Sequence, residues 1–149
     1  MFRRVLIVCV GNICRSPTAE VLLRQQLHDL DVTVESAGLA AVKGHPIDAT
    51  AQAVLNQHGM SGQSHVARQI DRAMIDAADL VLTMEPWHID AVLRISPHAR
   101  GKTYLLGKWL DNILRKGSTE DWRKVLKEAT GEDISTRAMA EYFKPLQTW

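Results

Sequence analysis

The chain has 149 residues, 46% of them hydrophobic, which is typical of one compact domain with a single core. Its 18 basic and 17 acidic residues nearly cancel, and the net charge of +1 argues against general attraction to nucleic acid or to an anionic membrane. The longest apolar run, at residues 5–10, is too short to span a bilayer and is not followed by a signal-peptide cleavage site. These features predict a cytoplasmic protein that binds any anion at a local site.

Apolar and polar residues along the first 110 positions predict alternating strands and helices. The β-branched run at residues 5–10 is typical of a strand buried on both faces, and Ser16 and Pro17 then suit the start of a helix. Further strands are expected at residues 32–37, 80–84 and 102–106, and further helices at residues 48–58, 70–78 and 86–95. Strands separated by helices predict an α/β fold, with a parallel sheet whose active site lies beyond the carboxyl ends of its strands.

The pattern changes beyond residue 110. A short polar stretch is followed by an expected helix at residues 119–129 and by an aromatic-rich final helix at residues 135–149. We interpret residues 1–149 as a single domain in which residues 111–149 form an atypical helical C-terminal region.

The two cysteines, Cys9 and Cys14, lie only five positions apart. A disulfide scaffold closes wider loops, and neither a Cys-x-x-Cys pair nor a nearby histidine indicates a metal site. The sequence therefore predicts reactive thiols in a reducing compartment and no cofactor.

The first predicted strand leads into the segment Cys-Val-Gly-Asn-Ile-Cys-Arg-Ser at residues 9–16, which we call the 9–16 loop. Between a strand and a helix start, such a loop can turn successive backbone N–H groups toward an anion. Arg15 adds a planar fork for two phosphate oxygens. Cys9 lies in the same positive field, which favours its thiolate, and Ser16 can donate a hydrogen bond to it. The loop therefore predicts in-line attack of Cys9 on a bound phosphoryl group.

Two other interpretations account for part of this pattern. A buried structural cysteine on an apolar strand is common, but the glycine, arginine and serine at this spacing disfavour it here. An NTP-binding loop also joins a strand to a helix, but the Gly-Lys-Ser/Thr ending and its lysine are absent.

The segment at residues 9–20 resembles the signature of the low-molecular-weight protein tyrosine phosphatases, and similarity continues at residues 36–39, 67–70, 79–85 and 101–103. The similarity covers residues 1–110, whereas residues 111–149 depart from the family pattern. It is greatest to Gram-negative members that dephosphorylate tyrosine autokinases controlling capsule or exopolysaccharide export. The resemblance implies a four-stranded parallel sheet with helices on both faces, no metal, and a phosphotyrosine protein such as a tyrosine autokinase as partner.

The resemblance also implies roles for individual residues. Cys9 forms a phosphocysteine intermediate, Arg15 clamps the phosphoryl group, Asn12 holds the strained loop backbone and Ser16 stabilises the thiolate. The residues expected to contact the substrate are Val10, Gly11, Asn12, Ile13, Cys14, Ser16 and Leu39.

Three of these expectations have alternatives. Cys14 matches a family cysteine that pairs with Cys9 under oxidant, but it is equally interpretable as a small packing residue. Leu39 is expected either to line an aromatic slot with Ile13 or to pack in the core. His65 is expected to make a structural hydrogen bond rather than to act in catalysis.

The expected general acid is missing. The family supplies it from an Asp-Pro-Tyr loop, and no Asp-Pro sequence occurs in this chain. A phenol has a pKa of about 10, and a positioned acid contributes roughly 10²–10⁴ in rate. Asp121 is the best substitute, because an aromatic and two basic residues follow it, whereas Asp111 and Asp133 are weaker candidates. The alternative for Asp121 is a helix N-terminal charge or cap.

Three functions are therefore weighed. The first is phosphotyrosine hydrolysis, and the second is a phosphotyrosine-binding module in which no acid supports turnover. The third, arsenate reduction, needs relay cysteines beyond the loop, and no cysteine follows Cys14.

Overall fold

The computed structural model describes residues 3–110, and residues 3–107 form one compact unit. Its strands are β1 (Arg4–Cys9), β2 (Thr33–Gly38), β3 (Leu80–Thr83) and β4 (Thr103–Leu105). Its helices are α1 (Arg15–Gln26), α2 (Ala49–Gln57), α3 (Arg72–Ala77) and α4 (Pro86–Ile95), with a 3₁₀ turn (Pro97–Ala99) after α4. The predicted alternation is confirmed. The bounds expected for the strands and for the helices after α1 are shifted by two residues at most, and the helices expected beyond residue 110 lie outside the described residues. Among the described helices, none is long and apolar enough to cross a membrane.

The four strands form one parallel sheet in the order β2-β1-β3-β4, so β1 is central. All but the first residue of β1 are buried, as the apolar run predicts. Because side chains alternate between the faces of a sheet, Leu6 packs with Ile75 of α3 and Val92 of α4 on one face. Cys9 lies on the opposite face, against Ser16 of α1. Helices therefore lie on both faces, and the predicted α/β fold is confirmed.

Helix α1 begins at Arg15, so Ser16 and Pro17 both lie in its first turn. Cys14 occupies the N-cap position and makes no capping hydrogen bond with its side chain. Ser16 is fully buried, and its hydroxyl faces Cys9. The Ser16 hydroxyl therefore makes the contact with Cys9 that the sequence analysis describes, and it does not cap the helix.

The end of β2 controls the position of the 9–16 loop. Gly38 pairs with Cys9 in the parallel register, and a Cβ atom at Gly38 would lie 2.4 Å from the carbonyl oxygen of Val10. Any residue with a β-carbon at this position would therefore displace the backbone. The glycine therefore allows the loop to pass directly over the end of the neighbouring strand.

Candidate active site

The 9–16 loop connects the buried end of β1 to the first turn of α1. Its carbonyl groups are turned outward: those of residues 9, 10 and 11 accept the N–H groups of Leu39, Ala40 and Val42 at 2.9–3.0 Å. The remaining three, at residues 12–14, accept hydrogen bonds from His65, Asp48 and Thr18. Six consecutive carbonyls thus bond to the surrounding scaffold. Their outward orientation leaves the interior of the loop to backbone N–H groups, which is the arrangement that binds an anion.

Cys9 lies at the floor of this loop and is only 3% exposed. Its Sγ atom is 2.9 Å from Ser16 Oγ and accepts the N–H of Asn12 at 3.3 Å. Asn12 Nδ2 also donates to Ser16 Oγ, at 2.9 Å, so the hydroxyl hydrogen of Ser16 is available for the sulfur. Two donors directed at one sulfur atom stabilise its anionic form.

Asn12 holds the loop in its unusual conformation. It is fully buried and has a φ of 55°, in the left-handed region that few residues other than glycine adopt. Its Nδ2 donates to Ser16 and to Ser36, both at 2.9 Å, and its Oδ1 accepts the backbone N–H of Arg68 at 2.9 Å. Every polar atom of the side chain is therefore hydrogen-bonded, which supports the expected role of Asn12 in holding the backbone.

A second group of buried polar residues continues from Asn12. His65 Nε2 donates to the Asn12 carbonyl at 2.6 Å, which is the structural hydrogen bond expected for this histidine. Ser36 Oγ donates to Glu20 Oε2, and His65 Nδ1 lies 4.0 Å from the same oxygen. The sequence analysis placed Glu20 and Ser36 in family-like segments but gave neither a role.

Arg15 extends from the first residue of α1 to the end of β3. Its Nη1 lies 2.5 Å from Glu85 Oε1, and the other carboxylate oxygen of Glu85 accepts Trp87 Nε1 at 2.9 Å. The hydrogen bond from Arg15, followed by the one from Trp87, holds the pKa of Glu85 below its usual value. We call residues 85–88 the rim of the site. The sequence analysis placed Glu85 in a family-like segment but gave it no role.

His88 lies behind the rim and is fully buried. Within the described part of the chain, neither ring nitrogen has a hydrogen-bond partner, and Nε2 is 4.0 Å from Glu85 Oε1. Burial lowers the pKa of His88, so the ring is neutral near pH 7.

The other residues predicted to contact the substrate differ in their burial. Gly11 and Ile13 are half-buried loop residues, whereas Cys14 is exposed. Both cysteines are free thiols. Leu39 packs against the core cluster on the α3 and α4 side of the sheet, which is the second of its two expected positions.

The candidate general acids stay predictions. Asp121 and the weaker candidates Asp111 and Asp133 lie outside the described residues. Within the described range, no three or more His, Cys, Asp and Glu side chains are grouped as a metal ion requires.

Comparison with known proteins agrees with the architecture of the loop. A family model described as low molecular weight phosphotyrosine protein phosphatase matches residues 4–128. The chain belongs to this family. The resemblance inferred from residues 9–20 is therefore confirmed, and the match extends beyond the described residues to include position 121.

Individual family members are similar over three quarters of this chain. A probable low molecular weight protein-tyrosine-phosphatase, AmsI of Erwinia amylovora, is 50% identical over 111 residues, which are 74% of this chain and 76% of AmsI. The AmsI crystal structure matches with a TM-score of 0.70, and the match covers 73% of this chain and 71% of the AmsI chain. The structure of Vibrio vulnificus Wzb in complex with benzylphosphonate matches with 42% sequence identity and a TM-score of 0.70. The match covers 74% of this chain and 77% of the Wzb chain. The YwlE arginine phosphatase of Geobacillus stearothermophilus is 37% identical, with a TM-score of 0.67, and the match covers 72% of this chain and 68% of the YwlE chain.

Proposed function

We propose that this member of the phosphatase family hydrolyses phosphotyrosine in two steps, through a phosphocysteine on Cys9. The observation that carries the proposal is the floor of the 9–16 loop, where two hydrogen-bond donors face the Cys9 sulfur. Above it, the outward carbonyls leave N–H groups for phosphate oxygens. A sulfur nucleophile below a bound phosphoryl group is suited to in-line attack on phosphorus.

In the first step, the Cys9 thiolate attacks phosphorus, and an S–P bond forms while the bond from phosphorus to the phenolic oxygen breaks. Arg15 faces the phosphoryl oxygens with two parallel N–H groups and stabilises their charge in the transition state. The leaving phenolate takes a proton from a general acid. We propose Asp121 for this role, because of the aromatic and basic residues that follow it.

In the second step, water attacks phosphorus and gives its proton to the same carboxylate. The P–S bond breaks, inorganic phosphate leaves, and Cys9 returns to its thiolate form. Ser16 supports both steps, because its hydroxyl is oriented toward the sulfur by the donor from Asn12. The hydrogen bond lowers the energy of the thiolate both as nucleophile and as leaving group.

The nucleophile is tested with Cys9→Ser and p-nitrophenyl phosphate as substrate. We expect hydrolysis to fall to background, since a serine hydroxyl in this position has no general base to activate it. Ala53→Ser, which adds a hydroxyl at an exposed position of α2, is the matched control. Hydrolysis retained in Cys9→Ser would show that another group attacks phosphorus.

The absence of an Asp-Pro sequence favours one alternative, a phosphotyrosine-binding module with negligible turnover. Aryl phosphates whose phenols differ in pKa separate the two functions. With a positioned acid, kcat/KM, which reports the step that releases the phenol, depends little on the pKa of that phenol, and Asp121→Asn makes the dependence steep. A steep dependence already present in the natural sequence means that nothing protonates the leaving oxygen, and the binding module is then the better description.

The substrate class rests on the relatives. One of them is solved with benzylphosphonate, whose benzyl group and phosphonate match the shape of phosphotyrosine. We propose a phosphotyrosine protein as substrate, with a tyrosine autokinase of an exopolysaccharide pathway as the partner and the cytoplasm as the location. A phosphoarginine peptide belongs in the substrate panel, because an arginine phosphatase is among the matched structures. Faster hydrolysis of that peptide would overturn the choice of phosphotyrosine.

A further inference from the structure

Trp87 is half exposed beside the phosphate-binding arginine. Its side chain is 50% exposed, which is unusual for the largest apolar side chain in proteins. A single carboxylate connects it to the site: Glu85 contacts Arg15 at 2.5 Å through one oxygen and Trp87 Nε1 at 2.9 Å through the other. The indole therefore lies next to the opening through which a phosphorylated side chain must enter.

The position of the indole is fixed from two sides. Its Nε1 is tied to Glu85, and its ring meets His88 edge-on, with the centroids 4.2 Å apart. Pro86 occupies the first turn of α4 and restricts the backbone just before the tryptophan. An aromatic face held in this way loses little entropy when a ligand contacts it.

The charges around Trp87 indicate what that face binds. The charges of Arg15 and Glu85 neutralise each other in the structure. A bound phosphate monoester adds roughly one to two negative charges next to this ion pair. Asp90 lies three residues beyond Trp87 on α4 and is exposed, which adds another carboxylate to the same part of the helix. With substrate bound, the rim is therefore negative, and an aromatic face in a negative field favours a cation.

We propose that Trp87 and Glu85 form a subsite for a basic side chain, arginine or lysine, that lies next to the phosphotyrosine in the substrate. The inference rests on the proposed phosphatase function and makes it more specific. The cation stacks on the indole while the Glu85 carboxylate, now shared with a phosphate-bound Arg15, pairs with it.

The test uses phosphotyrosine peptides that are identical except for the residue on each side of the phosphotyrosine, which is arginine, leucine or aspartate. We expect kcat/KM to be about 3- to 10-fold higher for the arginine peptide than for the leucine peptide, with the aspartate peptide lowest. Trp87→Ala should reduce the preference for arginine to less than about 2-fold. Trp87→Phe, which keeps an aromatic face but loses the N–H bonded to Glu85, should retain part of it.

Tyr104→Ala is the matched control, because Tyr104 is also an exposed aromatic, 43% accessible, and lies on β4. The Tyr104→Ala variant should prefer the arginine peptide to the same degree as the natural sequence does. A preference for leucine, or an arginine preference that survives in Trp87→Ala, would overturn the subsite while leaving the phosphatase function intact. Each peptide rate is divided by the rate with p-nitrophenyl phosphate, which has no flanking residues. Loss of that hydrolysis in the natural sequence would instead overturn the proposed function, and the subsite with it.

Discussion

Asn12, in the 9–16 loop, has no exposed surface, and every polar atom of its side chain is hydrogen-bonded. The ion pair between Arg15 and Glu85 of the rim is different, because 49% and 40% of the two side-chain surfaces are exposed. The loop is supported by six carbonyl hydrogen bonds to the scaffold, and the rim by one bridging carboxylate. The difference indicates that the loop is preorganised for the anion before substrate arrives. We expect the rim, by contrast, to exchange its contacts when a phosphate competes for Arg15.

The largest effect on stability is expected from breaking the loop at Asn12. Asn12→Ala removes three side-chain hydrogen bonds, leaves buried donors and acceptors without partners, and keeps a β-carbon in the left-handed region. We expect a loss of about 3–5 kcal/mol in the free energy of unfolding, measured by urea denaturation.

Asn12→Gly separates the two causes. Glycine adopts a φ of 55° without strain but also lacks the amide, so this variant should be more stable than Asn12→Ala by about 1 kcal/mol. Equal stabilities would mean that the left-handed backbone contributes nothing to the requirement for asparagine.

The next largest effect is expected on activity, at Arg15, the loop residue that pairs with Glu85 of the rim. Arg15→Lys keeps the charge but loses the paired N–H groups, and we expect kcat/KM for p-nitrophenyl phosphate to fall by about 100-fold. Arg72→Lys is the matched control, since Arg72 forms an exposed ion pair with Asp76 on α3. A change of less than about 5-fold in Arg15→Lys would show that a point charge suffices and that the fork geometry has no role.

The two thiols extend the comparison to redox chemistry. Cys9 is buried in the loop and Cys14 is exposed at the start of α1. We expect the natural sequence, inactivated by peroxide, to recover most of its activity with a dithiol reductant, because a Cys9–Cys14 disulfide protects Cys9 from further oxidation. Cys14→Ser should recover several-fold less, measured as the activity regained. Equal recovery would favour the alternative, in which Cys14 only packs.

The smallest effect is expected at Glu85, because its ion pair is exposed and screened by solvent. Glu85→Gln should change kcat/KM for p-nitrophenyl phosphate by less than about 3-fold. Arg15 and Trp87 hold the pKa of Glu85 below its ordinary value of 4.5, so the carboxylate stabilises the fold above that pH. The stabilisation is lost as the pH falls through the lowered pKa.

The unfolding temperatures of Glu85→Gln and the natural sequence test this sign. They should differ near pH 7, with the variant lower, and converge in acid, where Glu85 is protonated. A difference that persists unchanged into acid would mean that the carboxylate charge is not what stabilises the rim.

Much of the sheet and the loop was predictable from the sequence. A β-branched run at residues 5–10 buries well only in a central strand, and the Pro86 start and the Gly59 stop mark helix ends that depend on local backbone geometry. The spacing of Cys9 and Arg15 indicated an anion site for the same reason, since both residues belong to one strand–loop–helix segment.

What the sequence by itself determined is therefore local. It determined the alternation of elements, the cysteine and arginine of the 9–16 loop, and the family through the motif at residues 9–20. Tertiary structure alone decided the contacts between distant segments. Ser36 and Arg68 reach Asn12 from 24 and 56 residues away, and Glu85 reaches Arg15 from 70. These pairs share no sequence period, because the parallel sheet brings the ends of separate strands together and makes them neighbours only once the chain has folded.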